Sequence, residues 1–242
     1  MKIGIKIFRY VKGIEEFAKF VDFIEIMAIE GEDYNLFESL GIPIVIHAQH
    51  QRSGVNNSDK TKNEKNISSI NFAIELADKL NARKIIVHPG EIRSEDCSRE
   101  NSVLFIKNIK DRRILVENMP KEDYLCCDAE ETKKFLEETG KGFCFDVNHA
   151  IREELSLKKD YFEKIASFLE LKPSHYHIGG QDSIGREHIN FKYSEIDLKK
   201  IISLFPKDAE ISIETSGDKD LEGLKEDVIL LREVIDSVGA EN

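Results

Sequence analysis

The sequence predicts an α/β fold, a (β/α)8 TIM barrel built as one domain over residues 1–242. Eight short apolar runs of strand character recur along the chain, amphipathic helical runs separate them, and no Pro/Gly-rich linker or shift in composition divides it. Strands joined by helical crossovers lie parallel, and eight such units close most naturally on themselves. An open, doubly wound sheet is the runner-up.

Taken in order, the strand candidates are residues 2–8, 23–28, 42–48, 84–89, 114–119, 142–147, 174–179 and 210–215. Between them, residues 13–20 carry Ile14, Phe17 and Ala18 at helical spacing, and 67–80 repeat the pattern with Ile70, Ala73, Ile74 and Ala77, so each should bury one stripe. Residues 98–109, 128–138, 158–171, 194–205 and 219–238 read the same way, with Asp128 as an N-cap and Gly140 at a C-cap position. Two connections, 49–66 and 181–193, are long and polar, the length usual for lids or mobile functional segments. Both follow strands, which places them on the catalytic face of a barrel.

Composition narrows the function. A hydrophobic fraction of 40% with 14 Phe supplies enough apolar mass for a sizeable core. The formal charge of -11 gives no general attraction to phosphate backbones and counts against nucleic acid as a partner. The amino-terminal run alternates too regularly for a signal peptide, and no stretch reaches the roughly 20 apolar residues of a membrane span, so a cytoplasmic protein without a membrane partner is expected. Cys97, Cys126, Cys127 and Cys144 form neither a paired framework nor a C-x-x-C knuckle and read as reduced, structural thiols.

The strand ends carry the chemistry. Successive runs finish on His47, on His88-Pro89-Gly90, on Glu117-Asn118, on Asp146 with His149 three residues later, on His177 and on Glu214. In a parallel barrel these ends converge in one bowl. A lone His or Glu ending a strand is an ordinary hydrogen-bonded group, but six consecutive strands doing so would crowd buried carboxylates at a cost of several kcal/mol each unless a cation sat among them. The mixture of imidazole and carboxylate suits Zn2+ or Mn2+, and the absence of a Cys from the set points to a catalytic ion.

In their order and strand placement these residues resemble the xylose isomerase-like barrel superfamily, and within it the endonuclease IV branch, from the third strand to the eighth. The resemblance implies a metal cluster at the barrel mouth. In the endonuclease IV pattern His47, His88 and Glu117 hold one ion, and Glu117 bridges to a second held by Asp146, His177 and Glu214. A third would use His149, His188 and an Asp two residues earlier, where this sequence has Arg186. The sugar isomerases and epimerases of the superfamily use one ion on residues matching Glu117, Asp146, His177 and Glu214, with the two Glu also acting as acid/base groups. One to two ions are therefore expected.

Three functions follow: a sugar (or hydroxy-ketone) isomerase or epimerase with Glu117 and Glu214 as catalytic groups; an endonuclease IV-like phosphodiesterase acting on abasic DNA; and a catalytically silent metal-binding barrel. His47 and His88 favour the second, for which Arg52, Lys60, Lys62, Lys65, Arg186 and Lys192 are candidate phosphate contacts. The negative charge and the scarcity of aromatic side chains in the loops favour a small sugar-like substrate over DNA. His50 reads as an exposed loop residue, His175 as a partner of His177 on one strand face, and Glu25 as a buried carboxylate that positions a basic group or substrate.

Overall fold

The computed structural model describes residues 1–120, 123–215 and 221–241. Seven parallel strands, β1 (Lys2–Ile7), β2 (Phe23–Met27), β3 (Ile44–His47), β4 (Ile85–Val87), β5 (Ile114–Glu117), β6 (Gly142–Asp146) and β7 (His175–Ile178), pair in chain order. A small antiparallel hairpin, β8 (Gly180–Gln181) and β9 (Glu187–Ile189), stands apart, and β10 (Glu210–Ile213) then pairs with both β7 and β1 to close the barrel.

Period-2 alternation divides the strand residues between two cores. Ile3, Ile5 and Ile7, with Ile24, Ile26, Ile46, Val116, Phe145, Ile178 and Ile213, join the helices in one large cluster outside the barrel. Phe23, Val45, Ile86, Leu115 and Cys144 form a separate small cluster, the apolar plug of the interior. Gly4 makes room for it, because a Cβ there would lie 2.3 Å from the Phe23 ring. Two residues further along the inward rows the side chains turn polar: Lys6, Glu25, His47, His88, Glu117, Asp146, His177 and Glu214.

The helices are α1 (Ile14–Phe17), α2 (Asn35–Ser39), α3 (Asn63–Lys79), α4 (Arg99–Asn108), α5 (Ala129–Thr139), α6 (Val147–Ser156), α7 (Phe162–Leu169), α8 (Leu198–Ser203) and α9 (Leu221–Glu241). Asp128 caps α5 through its carboxylate, which accepts from the Glu131 amide, and Gly140 ends the helix at φ 67°. Two helices depart from the sequence reading. The five-residue α2 is too short to show a stripe, and Val147 opens α6 instead of ending a strand, because the Asp146 side chain accepts from the His149 amide at 2.9 Å and caps a new helix. The carboxy-terminal helix begins by Leu221, and residues 219 and 220 of its expected span lie outside the described residues.

Nor does 49–66 form an open lid. Val55, Asn56, Ser58 and Asp59 are buried, and Asn66 fastens Asn56 by two hydrogen bonds of 3.0 and 2.7 Å. The loop packs on the His-Pro-Gly turn, where Gly90 adopts φ 117° and a Cβ would collide with the Ser58 amide at 2.8 Å.

Candidate metal centre

Glu117, the last residue of β5 and 1% exposed, is the hub of the barrel mouth. Its Oε2 lies 3.1 Å from His47 Nε2 and 3.2 Å from His88 Nε2, and its Oε1 lies 3.4 Å from His177 Nδ1. His177 Nδ1 also faces Glu214 Oε2 at 3.4 Å and Asp146 Oδ2 at 3.9 Å. Two sets of ligand atoms therefore lie within 4.8 Å of one another, His47 with His88 and Glu117, and Glu117 with Asp146, His177 and Glu214.

Second contacts orient these ligands. His47 Nδ1 donates to the Ala48 carbonyl at 2.8 Å and His88 Nδ1 to Gln51 Oε1 at 3.1 Å, so both rings turn an Nε2 lone pair toward Glu117. His177 Nε2 donates to Glu25 Oε2 at 3.0 Å, which leaves Nδ1 for the site. Asp146 spends Oδ1 on the α6 cap, and Asn118 clamps its main chain, accepting from the Asp146 amide at 2.7 Å and donating to its carbonyl at 2.9 Å.

Whether these residues suit a divalent cation is decided by what they leave unpaired. Glu117 Oε1, Asp146 Oδ2 and His177 Nδ1 are buried atoms without a hydrogen-bond partner, and they face one another. Lone pairs aimed at lone pairs in a buried site repel until a proton or cation lies between them. The donor set fits a divalent ion of the zinc or manganese type, held by Glu117, Asp146, His177 and Glu214, with His47 and His88 available to a second.

The electrostatics agree with that donor chemistry at His88 but not at His177. Burial and the neighbouring Glu117 and Glu214 charges outweigh the nearby His149 and push the Asp146 carboxyl up to about 6. Burial alone would neutralise Glu214 as well, but the Lys6 ammonium, with His188 and His177, holds it far below the usual carboxylate range. Burial next to other imidazoles pushes His88 down to about 4 despite the Glu117 carboxylate, and His50 down to about 2. Neutral rings are the form a metal requires, whereas at His177 burial is outweighed by the neighbouring Cys144, Glu25 and Glu117, which raise the ring well above its usual value, so an ion held there would displace the Nδ1 proton.

The six expected ligands are thus brought together by the fold. His149 and His188 line the cavity above them with ring centroids 6.4 Å apart, His149 donating from Nδ1 to the Asn118 carbonyl and His188 from Nδ1 to the Glu214 carbonyl. Arg186 does not join them. Its guanidinium donates to Asp182 Oδ2 at 2.6 Å and is largely exposed, so the expectation of a third-site or substrate contact there is corrected. His50 is not an exposed loop residue; it is half-buried, lines the cavity and stacks on His88 at 4.7 Å.

Sequence reasoning missed Lys6, which is 3% exposed and donates from Nζ to Glu214 Oε2 at 2.8 Å. The signal was present: in Ile5-Lys6-Ile7 a lysine interrupts a strand whose neighbours are all apolar. The cavity over the site holds about 640 Å3, and Arg52, Arg93 and Arg152 stand on its wall.

Comparison with known proteins agrees with this architecture. No curated protein matches the chain in sequence. Among solved structures, endonuclease IV from Thermus thermophilus superposes with a TM-score of 0.73 at 19% identity, covering 98% of this chain and 100% of that one. A D-tagatose 3-epimerase-like protein gives 0.71 at 22%, covering 96% and 99%, and the IOLI protein with a bound zinc atom gives 0.67 at 14%, covering 100% and 99%. At such identities the likeness is one of fold. The family model described as xylose isomerase-like TIM barrel matches residues 32–234, and the chain belongs to that family.

Proposed function

We propose that this protein is a divalent-metal-dependent isomerase or epimerase acting on a small sugar-like hydroxy-carbonyl compound. The observation that carries the reading is the placement of Glu117 and Glu214, which line one cavity of about 640 Å3 while sharing a ligand group with Asp146 and His177. A concave site of that size suits a small molecule. An ion held by the four residues would polarise the substrate carbonyl and lower the cost of drawing a proton from the adjacent carbon.

The chain's own residues supply the proton chemistry. Opposing charges hold Glu117 and Glu214 ionised against burial, so both are ready as bases. Glu117 comes from β5 and Glu214 follows β10, so they reach a carbon between them from different strands. Glu117 Oε1, without a hydrogen-bond partner, is the atom to take the proton, and the Glu117 carboxyl so formed is the group to return it; Glu214, ionised on the other side, is the base for a substrate presenting its proton there. His149 and His188 line the same cavity, in place to bind substrate hydroxyls.

The second reading, a phosphodiesterase on abasic DNA, is favoured by the His47, His88 and Glu117 group. Against it, Lys60, Lys62 and Lys192 already pair with Asp96, Asp59 and Glu226, and Arg186 turns to Asp182. The deciding experiment incubates the Mn2+-, Co2+- or Zn2+-loaded protein with a panel of aldoses and ketoses in D2O and follows deuterium incorporation beside the carbonyl by NMR. Exchange that falls at least about 100-fold in Glu117→Gln is expected for a lost acid/base group. No exchange, with cleavage of an abasic duplex by the same loaded protein, would transfer the assignment to the phosphodiesterase; neither activity, with metal bound, would leave a silent barrel.

A further inference from the structure

Lys6 presents a cation to the same carboxylate oxygen that the candidate ion would use. It projects inward from β1 beside Glu25, its register partner on β2. Its Nζ donates to Glu214 Oε2 at 2.8 Å, and that oxygen is also the one facing His177 Nδ1 at 3.4 Å. An ammonium and a divalent ion on one oxygen, in a buried site where solvent screens weakly, repel strongly. Glu25 offers an alternative partner. Its Oε2 is saturated by His175 Nε2 at 2.9 Å, His177 Nε2 at 3.0 Å and Ser212 Oγ at 2.7 Å. Its Oε1 is buried without any hydrogen-bond partner and stands 4.0 Å from Lys6 Nζ.

We propose that Lys6 is a two-position cation: it neutralises Glu214 in the metal-free site and moves to Glu25 Oε1 when a divalent ion binds at Glu117, Asp146, His177 and Glu214. The shift needed is small, because the ammonium already lies at salt-bridge distance from both carboxylates. Two consequences follow. Glu214 keeps a cation whether or not an ion is bound, and the ion must displace the ammonium to enter, so it binds exchangeably. Lys6 also lines the cavity, so in its second position the ammonium remains a donor available to a substrate oxygen. The inference rests on the metal reading of this group but on neither proposed reaction.

The test needs only the metal. Calorimetric titration of metal-free protein with Mn2+ at pH 8 should give an affinity at least tenfold higher for Lys6→Met than for wild type, with Lys6→Arg close to wild type. Equal or weaker binding by a folded Lys6→Met overturns the proposal while leaving the metal site standing; failure of the wild type to bind any ion overturns both. Where Lys6→Met does not fold, a crystal structure of the wild type loaded with Zn2+ decides. Nζ hydrogen-bonded to Glu25 Oε1 and released from Glu214 is the expected result, and Nζ still on Glu214 Oε2 beside the ion refutes it.

Discussion

Glu25 should be the most costly single residue to remove from the barrel interior, and the structure indicates by how much. It is fully buried, and its Oε2 alone accepts from His175, His177 and Ser212. Glu25→Ala leaves the His177 and Ser212 donors without an acceptor, each costing about 1 to 3 kcal/mol, and reduces His175 Nε2 to its 3.2 Å contact with Ser212 Oγ. Removing a buried carboxylate also recovers its own desolvation, which offsets part of that sum. A net loss of about 3 to 5 kcal/mol is expected, a large share of the roughly 5 to 15 kcal/mol that holds an ordinary domain folded. Urea denaturation of the metal-free protein followed by circular dichroism reads this loss directly. A merely structural carboxylate would show nothing more, but Glu25 also fixes which nitrogen of His177 carries the proton, so metal affinity should fall about 10- to 100-fold in whatever fraction stays folded. Glu25→Gln, which keeps one acceptor oxygen but aims an amide N–H2 at the remaining donors, should fall between. A Glu25→Ala protein within about 1 kcal/mol of wild type and with unchanged metal affinity would show that the interior network does not govern the site as argued.

Gly179→Ala should separate packing from chemistry at the same place, because a Cβ there would lie 2.2 Å from the Glu214 carbonyl oxygen, a main-chain atom that yields only if the end of β10 moves. Destabilisation of about 1 to 3 kcal/mol in thermal unfolding is expected, together with weaker metal binding; a variant that melts and binds metal like wild type would refute the contact. At the opposite end of the barrel, burial tends to raise the Glu210 carboxyl, but Lys84 at 2.6 Å and Lys2 at 2.9 Å hold it down to about 2. A carboxyl depressed in the folded state stabilises above its ordinary value of 4.5, and that contribution is lost as pH falls toward the folded value. The stability gap between wild type and Glu210→Gln should therefore be constant above about pH 5 and close between about 4.5 and 2, and a gap that persists to pH 2 would contradict the assignment.

How much of this was legible in the sequence follows from which interactions are local. The convergence of the six candidate ligands was legible because each lies two residues beyond an inward-facing neighbour, as His47 follows Val45, Glu117 follows Leu115 and Asp146 follows Cys144, and period 2 is written in the chain. The same rule carries Gly4 to Lys6 and Phe23 to Glu25, so their inward orientation was equally legible. Glu25 was read as a carboxylate that positions a basic group, but which groups it meets, and any role for Lys6, were not legible, since they depend on Lys6, Glu25 and Glu214 meeting from β1, from β2 and from beyond β10, and no pattern along one strand encodes compensation between strands. His50 shows the same limit in a loop: its place against His88 follows from how 49–66 packs, through Asn56 bonded to Asn66 and to the Glu91 carbonyl. Arg186 fails for the opposite reason, a purely local one, because Asp182 four residues earlier captures its guanidinium and holds it off the site. The Arg that stands where the resemblance expects an Asp is thus held in a surface ion pair, apart from the two candidate groups that share Glu117.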